Sequence, residues 1–377
     1  MNPRLEHLQP YPFEKLRQLL AQANPDKTGL PLVDLSIGEP KHDAPELAKQ
    51  AIVDSLAGLS GYPPTKGAPM LRRAIADWIG RRYSIAAPDP ETQVLPVLGS
   101  REALFAFAQT VIDPDSKGLV VCPNPFYQIY EGAALLAGAT AYYVNATAEN
   151  NFLCDWASVD TDVWRQTELL YVCNPGNPAG SVMPLSDWEL LFELADEHDF
   201  AIASDECYSE IYMDEGNPPL GGLQAAVALG RNDFRRLVSF SSLSKRSNLP
   251  GLRSGFVAGD ANLINRFLLY RTYHGSAMSG VVTAASLAAW QDEAHVKQNR
   301  QAYRDKFDAV LEILSPVLDV TRPEASFYLW VPTPYDDAQF TRDLLDQQAV
   351  KVLAASFAGR TADNQNQGDK LTLMAFA

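Results

Sequence analysis

Residues 241–255 read SSLSKRSNLPGLRSG, a lysine and two arginines set among hydroxyls and glycines. Apolar runs at 236–241 and 255–259 flank this stretch, so it begins where a predicted strand ends. A buried lysine amine has a lowered pKa and forms Schiff bases with aldehydes, which makes Lys245 a candidate for covalent chemistry. Ser242 and Arg253 supply hydroxyl and guanidinium donors that suit a phosphate. A solvated surface loop is the alternative interpretation of the same residues.

The composition of the chain excludes several functional classes. With 377 residues, we expect one large domain and a smaller one. A hydrophobic content of 46% is enough for a substantial core, and a charged content of 20% is ordinary for a soluble protein. The net charge of −15 argues against nucleic-acid binding and against a polybasic membrane-binding patch, since both need clustered positive charge.

The cysteines and the N-terminal residues predict a cytoplasmic location. Four cysteines show neither CxxC nor zinc-like spacing, and the five histidines lack metal spacing, so we expect free buried thiols and no metal site. Residues 1–7 lack the apolar core of a signal peptide. The apolar stretches at 133–144 and 280–290 are too short to span a membrane, so we expect no membrane association.

Short apolar runs alternate with helical segments over the middle of the chain. The runs lie at 92–98, 118–122, 169–173, 201–204 and 237–240, and helical spacing occurs at 100–112, 127–136 and 185–197. Such alternation predicts an α/β fold with a mostly parallel sheet covered by helices on both faces. Beyond residue 259 the chain is more helical, which favours an N-terminal arm at 1–30, a large domain at 46–270 and a small domain made of 31–45 and 271–377.

Polar residues follow the predicted strands at the points where ligands bind in doubly wound sheets. The segment 174–180 reads NPGNPAG, Asp205 follows the run at 201–204, and Ser100 opens a helix whose amides suit a phosphate. Each signal alone is more often a turn or a helix cap. The sequence contains neither GxGxxG nor GxxxxGK[ST], so nucleotide binding loses its usual support.

Taken together and in this order, these motifs resemble the class I/II aminotransferases over nearly the whole chain. The lysine in S-x-S-K followed eight residues later by arginine is similar to the lysine signature of that family. The resemblance implies a fold type I transferase that depends on pyridoxal 5'-phosphate (PLP). Such an enzyme has a large domain with a mostly parallel, seven-stranded type of sheet flanked by helices, plus a smaller α+β domain.

The resemblance also implies roles at the cofactor ring. Lys245 would bond to the aldehyde of PLP and then act as the general acid/base, and Asp205 would keep the pyridine nitrogen protonated. Tyr208 and Asn177 would hydrogen-bond the phenolic oxygen of the ring. Tyr127 would stack on the face of the ring, with an ordinary core tyrosine as the alternative.

Further roles concern the phosphate and a second subunit. Ser100, Arg101, Ser242 and Arg253 would hold the phosphate group of PLP. Tyr62 matches the position that reaches the phosphate in the partner subunit, which implies a homodimer with shared active sites. A surface-loop aromatic is the alternative for Tyr62.

Three segments resemble bacterial N-succinyl-LL-diaminopimelate aminotransferases. They read NPRLEHLQPYPFEKL at 2–16, SIGEPKH at 36–42 and YRTYHG at 270–275. The resemblance implies transamination between glutamate/2-oxoglutarate and N-succinyl-2-amino-6-oxopimelate in diaminopimelate and lysine biosynthesis. The backbone at Gly38 would cover the substrate, where Asn177 also lies. Arg271 would contact one of its carboxylates, with a solvated helix-end arginine as the alternative.

One position departs from the family pattern. The family ends in a strand whose arginine binds the α-carboxylate of the substrate, and Leu373 stands at that position here. Arg360 or another arginine would compensate, the substrate would be held differently, or activity would be impaired. A PLP-dependent C–S β-lyase, an aspartate-type aminotransferase and a catalytically impaired, regulatory PLP-binding protein therefore stay open as alternatives.

Overall fold

Helices and strands alternate along the chain, which a computed structural model describes over residues 1–377. The α-helices are α1 (Pro12–Leu19), α2 (Glu46–Asp54), α3 (Pro69–Tyr83), α4 (Ser100–Val111), α5 (Ile129–Ala137), α6 (Thr161–Gln166), α7 (Leu185–His198), α8 (Gly222–Ala228), α9 (Leu243–Arg246), α10 (Ala261–His274), α11 (Gly280–Gln291), α12 (Ala294–Leu314) and α13 (Asp337–Gln348). Short 3-10 helices lie at Pro3–His7, Pro25–Thr28, Leu56–Ser60, Ala148–Asn150, Trp156–Ser158, Pro250–Leu252 and Ala355–Ala358.

The strands form one large sheet and two small ones. They are β1 (Val33–Asp34), β2 (Val94–Val97), β3 (Leu119–Asn124), β4 (Thr140–Asn145), β5 (Thr167–Cys173), β6 (Ala201–Asp205), β7 (Leu237–Ser242), β8 (Gly255–Gly259), β9 (Tyr328–Pro332), β10 (Val350–Lys351), β11 (Leu353–Ala354) and β12 (Leu371–Ala375). The large sheet has the order β2-β8-β7-β6-β5-β3-β4, and all pairings except those of β8 are parallel. The predicted mostly parallel, seven-stranded sheet is therefore confirmed.

Helices cover both faces of the large sheet. Along β5, Leu170 packs with α3, α7, α8 and α11, while its neighbours Leu169 and Tyr171 pack with α4, α5 and α10. Successive side chains of a strand point to opposite faces, so these two groups of helices lie on opposite sides of the sheet. Because both faces are buried, β6, β7 and β8 read as continuous apolar or small-residue runs without alternation.

The topology brings five loops to one edge of the large sheet. Strands β3 to β7 are parallel, and β2 runs in the same direction as β7 because each is antiparallel to β8. The segments that follow β2, β3, β5, β6 and β7 consequently meet at the carboxyl edge. These are the segments in which the sequence places its polar motifs.

A second layer forms the C-terminal part of the chain. Strands β11, β12 and β9 make an antiparallel sheet in that order, and β1 pairs in parallel with β10. Leu16 of α1 packs in the same apolar cluster as Leu353 and Leu373 of that sheet. The predicted domain bounds remain a prediction. A division at residue 270 would fall inside α10, and it would assign α11 to a different domain from the core into which it packs.

The fold contains neither a disulfide bond nor a helix that could span a membrane. All four cysteines are free, Cys122 and Cys154 being buried and Cys173 and Cys207 half-buried. None of the helices has the combination of length and apolar content that a membrane span requires. The chain thus places its apolar surface chiefly in the two layers of core beside the large sheet.

Candidate active site

A cavity of about 670 Å³ lies at the carboxyl edge of the large sheet and is also walled by residues of β9, β11 and β12. Ten of the twelve predicted site residues line it. They are Gly38, Ser100, Arg101, Tyr127, Asn177, Asp205, Tyr208, Ser242, Lys245 and Arg253. The other two, Tyr62 and Arg271, lie outside this cavity. Residues from six separate segments of the sequence therefore converge on one site.

Lys245 lies in the single turn of α9, three residues beyond the end of β7. Its Nζ donates a hydrogen bond to the carbonyl oxygen of Gly38 at 2.5 Å and lies 5.2 Å from the centroid of the Phe327 ring. Burial lowers the pKa of Lys245 from 10.5 to about 8, because an ammonium ion loses its hydration there. At pH 7 about a tenth of the amine is thus neutral, far more than in an ordinary lysine, and the neutral amine is the nucleophile.

Asp205 ends β6 and is buried. Its carboxylate accepts hydrogen bonds from Tyr130 Oη at 2.8 Å and from the Cys207 backbone N–H at 3.3 Å. Desolvation nevertheless raises the pKa of Asp205. A positively charged N–H group in the cavity would offset that cost. Tyr130 was not predicted, although it follows Tyr127 by about one helical turn, which is the signal that could have found it.

Two hydroxyls and one arginine converge at the N-terminus of α4. Cys207 Sγ lies 2.9 Å from Ser100 Oγ and 3.6 Å from Ser242 Oγ, so these serines from different strand ends face the same point. Arg253 lies against Gly99, which has a φ of +86° and whose replacement by any larger residue would overlap the guanidinium. Serine hydroxyls, a guanidinium and free helix amides together form an anion site.

Tyrosines and a close backbone contact shape the side of the cavity beside Lys245. Tyr208 Oη and Tyr328 Oη are 2.9 Å apart and share a hydrogen bond. Gly38 passes so close to the Tyr328 hydroxyl that a Cβ atom would overlap it. Tyr328 was not predicted, because it becomes adjacent to Tyr208 only when β9 packs across the cavity.

Tyr127 and Arg101 form a pair within the cavity wall. Arg101 Nε donates to Tyr127 Oη at 2.5 Å, and its guanidinium carbon lies 5.7 Å from the centroid of the tyrosine ring. Burial raises the pKa of Tyr127, so the phenol stays protonated over the physiological range. The half-buried ring is available to a planar ligand.

Comparison with known proteins identifies the family of this site. The profile of the family "Aminotransferase class I and II" matches residues 31–363. The chain belongs to the class I and II aminotransferases. An LL-diaminopimelate aminotransferase from Dehalococcoides mccartyi is 33% identical over 96% of this chain and 92% of its own length.

Solved aminotransferase structures share the fold over nearly their whole length. An aminotransferase from Neisseria meningitidis has 51% identity and a TM-score of 0.96, with coverage of 100% of this chain and 95% of that chain. A probable N-succinyldiaminopimelate aminotransferase from Thermus thermophilus has 25% identity and a TM-score of 0.84, with coverage of 97% and 95%. The predicted fold type is thus confirmed.

Enzymes of this aminotransferase family depend on PLP, and the residues of this cavity fit that cofactor. The desolvated amine of Lys245 suits its aldehyde, and the buried carboxylate of Asp205 suits a protonated ring nitrogen. The Ser100 and Ser242 hydroxyls, drawn together at Cys207, suit its phosphate. The aldehyde, the ring nitrogen and the phosphate of the cofactor would therefore each find a matching group of the protein.

The structure does not bring Arg271 to this aminotransferase site. Its side chain is buried, and Nη1 donates to both carboxylate oxygens of Glu102 at 2.9 Å. Nη2 donates to the Ser276 carbonyl at 3.3 Å. Glu102 in turn accepts from the Leu98 backbone N–H at 2.8 Å, just before α4. Arg271 thus supports the start of α4, which corrects both the predicted substrate contact and the solvated alternative.

Tyr62 is fully exposed on the single chain. It lies in the loop between the 3-10 helix Leu56–Ser60 and α3, and no part of it lines the cavity. Its predicted contact with a partner subunit concerns an assembly of two chains and therefore stays a prediction.

Leu373 lies in the cavity wall, in the middle of β12 between Leu353 and Trp330 of the neighbouring strands. Arg360 does not replace the arginine missing there, because its guanidinium binds Glu131 through Nε at 2.8 Å and Nη2 at 2.6 Å. Arg360 also lies outside the cavity lining. The wall of the site is thus apolar at Leu373, the position at which the resemblance predicts an arginine.

Proposed function

We propose that this chain transfers an amino group between glutamate/2-oxoglutarate and N-succinyl-2-amino-6-oxopimelate, in diaminopimelate and lysine biosynthesis. The observation that carries an aminotransferase function is the convergence of Lys245 and Asp205 on one cavity. The diaminopimelate assignment is supported by relatives named LL-diaminopimelate aminotransferase and by the structural neighbour from Thermus thermophilus. Those names divide between free and succinylated diaminopimelate, so the two substrates are compared directly in the experiment below.

Lys245 carries the proton transfers in this proposal. Its neutral amine would hold the cofactor at the aldehyde carbon, and the same amine would take the proton from the Cα of the amino donor. When bound, PLP supplies a conjugated ring that delocalises the electron pair left at Cα. Asp205 would hold the positive charge on the ring nitrogen, while Tyr130 keeps the carboxylate oriented through the 2.8 Å hydrogen bond.

The other residues bind and orient the cofactor. Tyr208 and Asn177 would hydrogen-bond its phenolic oxygen, and Tyr127 would pack on its ring. The phosphate would bind to four side chains that line the cavity, Ser100, Arg101, Ser242 and Arg253.

The substrate side of the site involves the backbone and a second subunit. Asn177 would also contact the substrate. The backbone at Gly38, whose carbonyl accepts a hydrogen bond from Lys245 Nζ, would cover the substrate. Tyr62 reaches the phosphate bound in a partner subunit, which makes the protein a homodimer with shared active sites. The full exposure of Tyr62 supports this proposal, because a tyrosine reserved for a partner must lie on the surface of its own chain.

A catalytically impaired PLP-binding protein is the second candidate, and Leu373 is the observation that favours it. A carboxylate placed against an apolar wall loses hydration without gaining a partner, which weakens substrate capture. This candidate predicts that the protein binds PLP through Lys245 and converts no amino acid.

An absorbance titration of the PLP-loaded protein with glutamate tests the proposed function. We expect glutamate to abolish the absorbance band of the Lys245-bound cofactor and 2-oxoglutarate to restore it. The Lys245→Ala variant should show neither the loss nor the recovery. Free LL-diaminopimelate and its N-succinyl derivative are then compared at equal concentrations. A faster response to the unsuccinylated compound would contradict the succinyl assignment, and an unmoved band with all donors would favour the impaired protein. Pyruvate release from cystathionine would instead identify a β-lyase.

A further inference from the structure

The positive charges of the cavity all come from the large-sheet side. Lys245 follows β7, Arg101 lies in the first turn of α4, and Arg253 precedes β8. The lysine and both arginines are the residues that fit the aldehyde and the phosphate of the cofactor. With the cofactor bound, no other cationic side chain of this chain lines the cavity.

The wall contributed by the small sheet is uncharged. Leu373 pairs with Leu353 on one side and with Trp330 on the other. Directly opposed residues of antiparallel strands share a face, and Tyr328 joins this face because it is two residues from Trp330. Leu373, Leu353 and Tyr328 line the cavity, so this wall presents two aliphatic side chains and one phenol.

The space beyond this wall is also without charge. A smaller cavity of about 50 Å³ adjoins the main one through Asn177 and Pro178, and Trp330 forms part of its lining. No Lys, Arg, His, Asp or Glu residue lines that smaller cavity. A substrate carboxylate displaced from Leu373 would therefore find no ion-pair partner there.

Neither Arg360, the arginine expected to compensate for Leu373, nor Arg271, the expected substrate contact, is available. Arg360 is paired with Glu131, and Arg271 is paired with Glu102, each through bonds to both carboxylate oxygens. Turning either guanidinium toward the cavity would leave a carboxylate without its partner. Such a change is strongly unfavourable for Glu131, whose side chain is only 9% exposed.

We propose that this site does not select for an α-carboxylate and accepts, as amino donors, primary amines whose reacting carbon carries none. This inference rests on the proposed aminotransferase function and concerns its substrate class. The donor R–CH₂–NH₂ and a 2-oxo acid give R–CHO and an amino acid. The C–N bond of the donor breaks, and its carbon takes an oxygen from water. The oxo oxygen of the acceptor leaves as water when its carbon receives the amino group. The oxidation of the donor carbon is balanced by the reduction of the acceptor carbon. Leu373 is the specificity-determining residue.

Glutamate and 4-aminobutyrate form a matched pair for the test, because they differ only in the carboxylate on the reacting carbon. We expect the kcat/KM of the holoenzyme for the two donors to agree within about tenfold, whereas a site built to bind the missing group discriminates by about 10⁴-fold. Leu373→Arg should raise the preference for glutamate by about 100-fold, and Leu373→Met should leave the ratio unchanged. A preference for glutamate of about 1,000-fold or more in the unmodified enzyme would overturn the inference and leave the aminotransferase function intact.

Equilibrium binding provides a readout that does not depend on turnover. Calorimetry on the holoenzyme compares glutarate, which keeps both carboxylates, with butyrate, which keeps one. We expect similar dissociation constants for the two, and tighter binding of glutarate only in Leu373→Arg. If neither donor is converted, the proposed function and the donor claim both fail, and this comparison then tests only whether the site selects for the α-carboxylate. Glutarate bound about 100-fold more tightly than butyrate would overturn it, since it would show a cation supplied by a partner subunit or by Arg101.

Discussion

The protonation state of Lys245 should set the pH at which the apoprotein reacts with PLP. Burial lowers the pKa of its amine from 10.5 to about 8, while Glu39 and Cys207 oppose that shift electrostatically. At pH 7 the neutral fraction is consequently about 300-fold larger than that of an ordinary lysine. Because only the neutral amine attacks an aldehyde, the rate should rise as pH increases through 8 and then level off.

Initial rates of covalent PLP uptake by the apoprotein, measured from about pH 6.5 to 10.5 at constant ionic strength, would follow this titration. Below the pKa the rate should increase about tenfold per pH unit, and above about pH 9 it should be nearly constant. Lys245→Ala provides the background from other lysines. In Glu39→Gln the midpoint should move to lower pH, since the variant removes a carboxylate that favours the ammonium ion.

A rate that keeps rising to pH 10 would refute this reasoning, because it would show an ordinary, solvated amine at Lys245. An unchanged midpoint in Glu39→Gln would refute the electrostatic part alone. The desolvation argument itself depends on the closed packing around Lys245, where Gly38 accepts its hydrogen bond and the Phe327 ring lies 5.2 Å away.

Two further variants test the packing around the site. Gly99→Ala should weaken PLP affinity by about tenfold or more in a fluorescence titration, because its Cβ displaces Arg253. Gly251→Ala, which meets no atom within 4 Å, should bind PLP normally. Arg360→Ala should lower the free energy of unfolding in urea by about 3 kcal/mol, since it strands the buried Glu131 carboxylate. Adding Glu131→Gln should restore part of that loss, and no restoration would argue against the ion pair.

The sequence predicted best those elements whose burial is uniform. Strands β5 to β8 are continuous apolar runs because both of their faces are covered, and all four were predicted. Strand β4 was missed because it lies at the sheet edge and is largely half-exposed, with Thr140 and Asn145 at its ends. Helix α8 has only seven residues and begins at Gly222, and the largely polar α13 lacks a clear apolar face, so neither gave a strong periodic signal.

Long-range partners explain what the sequence could not predict of the site. The family motifs located ten residues that line the cavity. They gave no indication of Tyr328 or Tyr130, whose roles depend on contacts with Tyr208 and Asp205 across the fold. Arg271 was assigned to the substrate because the expected substrate carries several carboxylates. Its actual partner, Glu102, is 169 residues away in the sequence and gave no local signal. A charge at a helix end can be paired, solvated or functional, and only packing distinguishes these cases.

In the proposed site, the small sheet contributes to the substrate side and none of the proposed cofactor contacts. Lys245, Asp205 and the serines of the phosphate site all follow strands of the large sheet, whereas Leu373 and Leu353 belong to the small one. A change in the small sheet therefore alters the charge next to the substrate and leaves the cofactor contacts in place. We therefore expect leucine in place of arginine at position 373 to change the substrate specificity and to leave the chemistry at Lys245 intact. If the apolar wall at Leu373 prevented all substrate binding, the desolvated amine of Lys245 would take part in no reaction. The comparison of glutamate with 4-aminobutyrate distinguishes this outcome from a change in specificity.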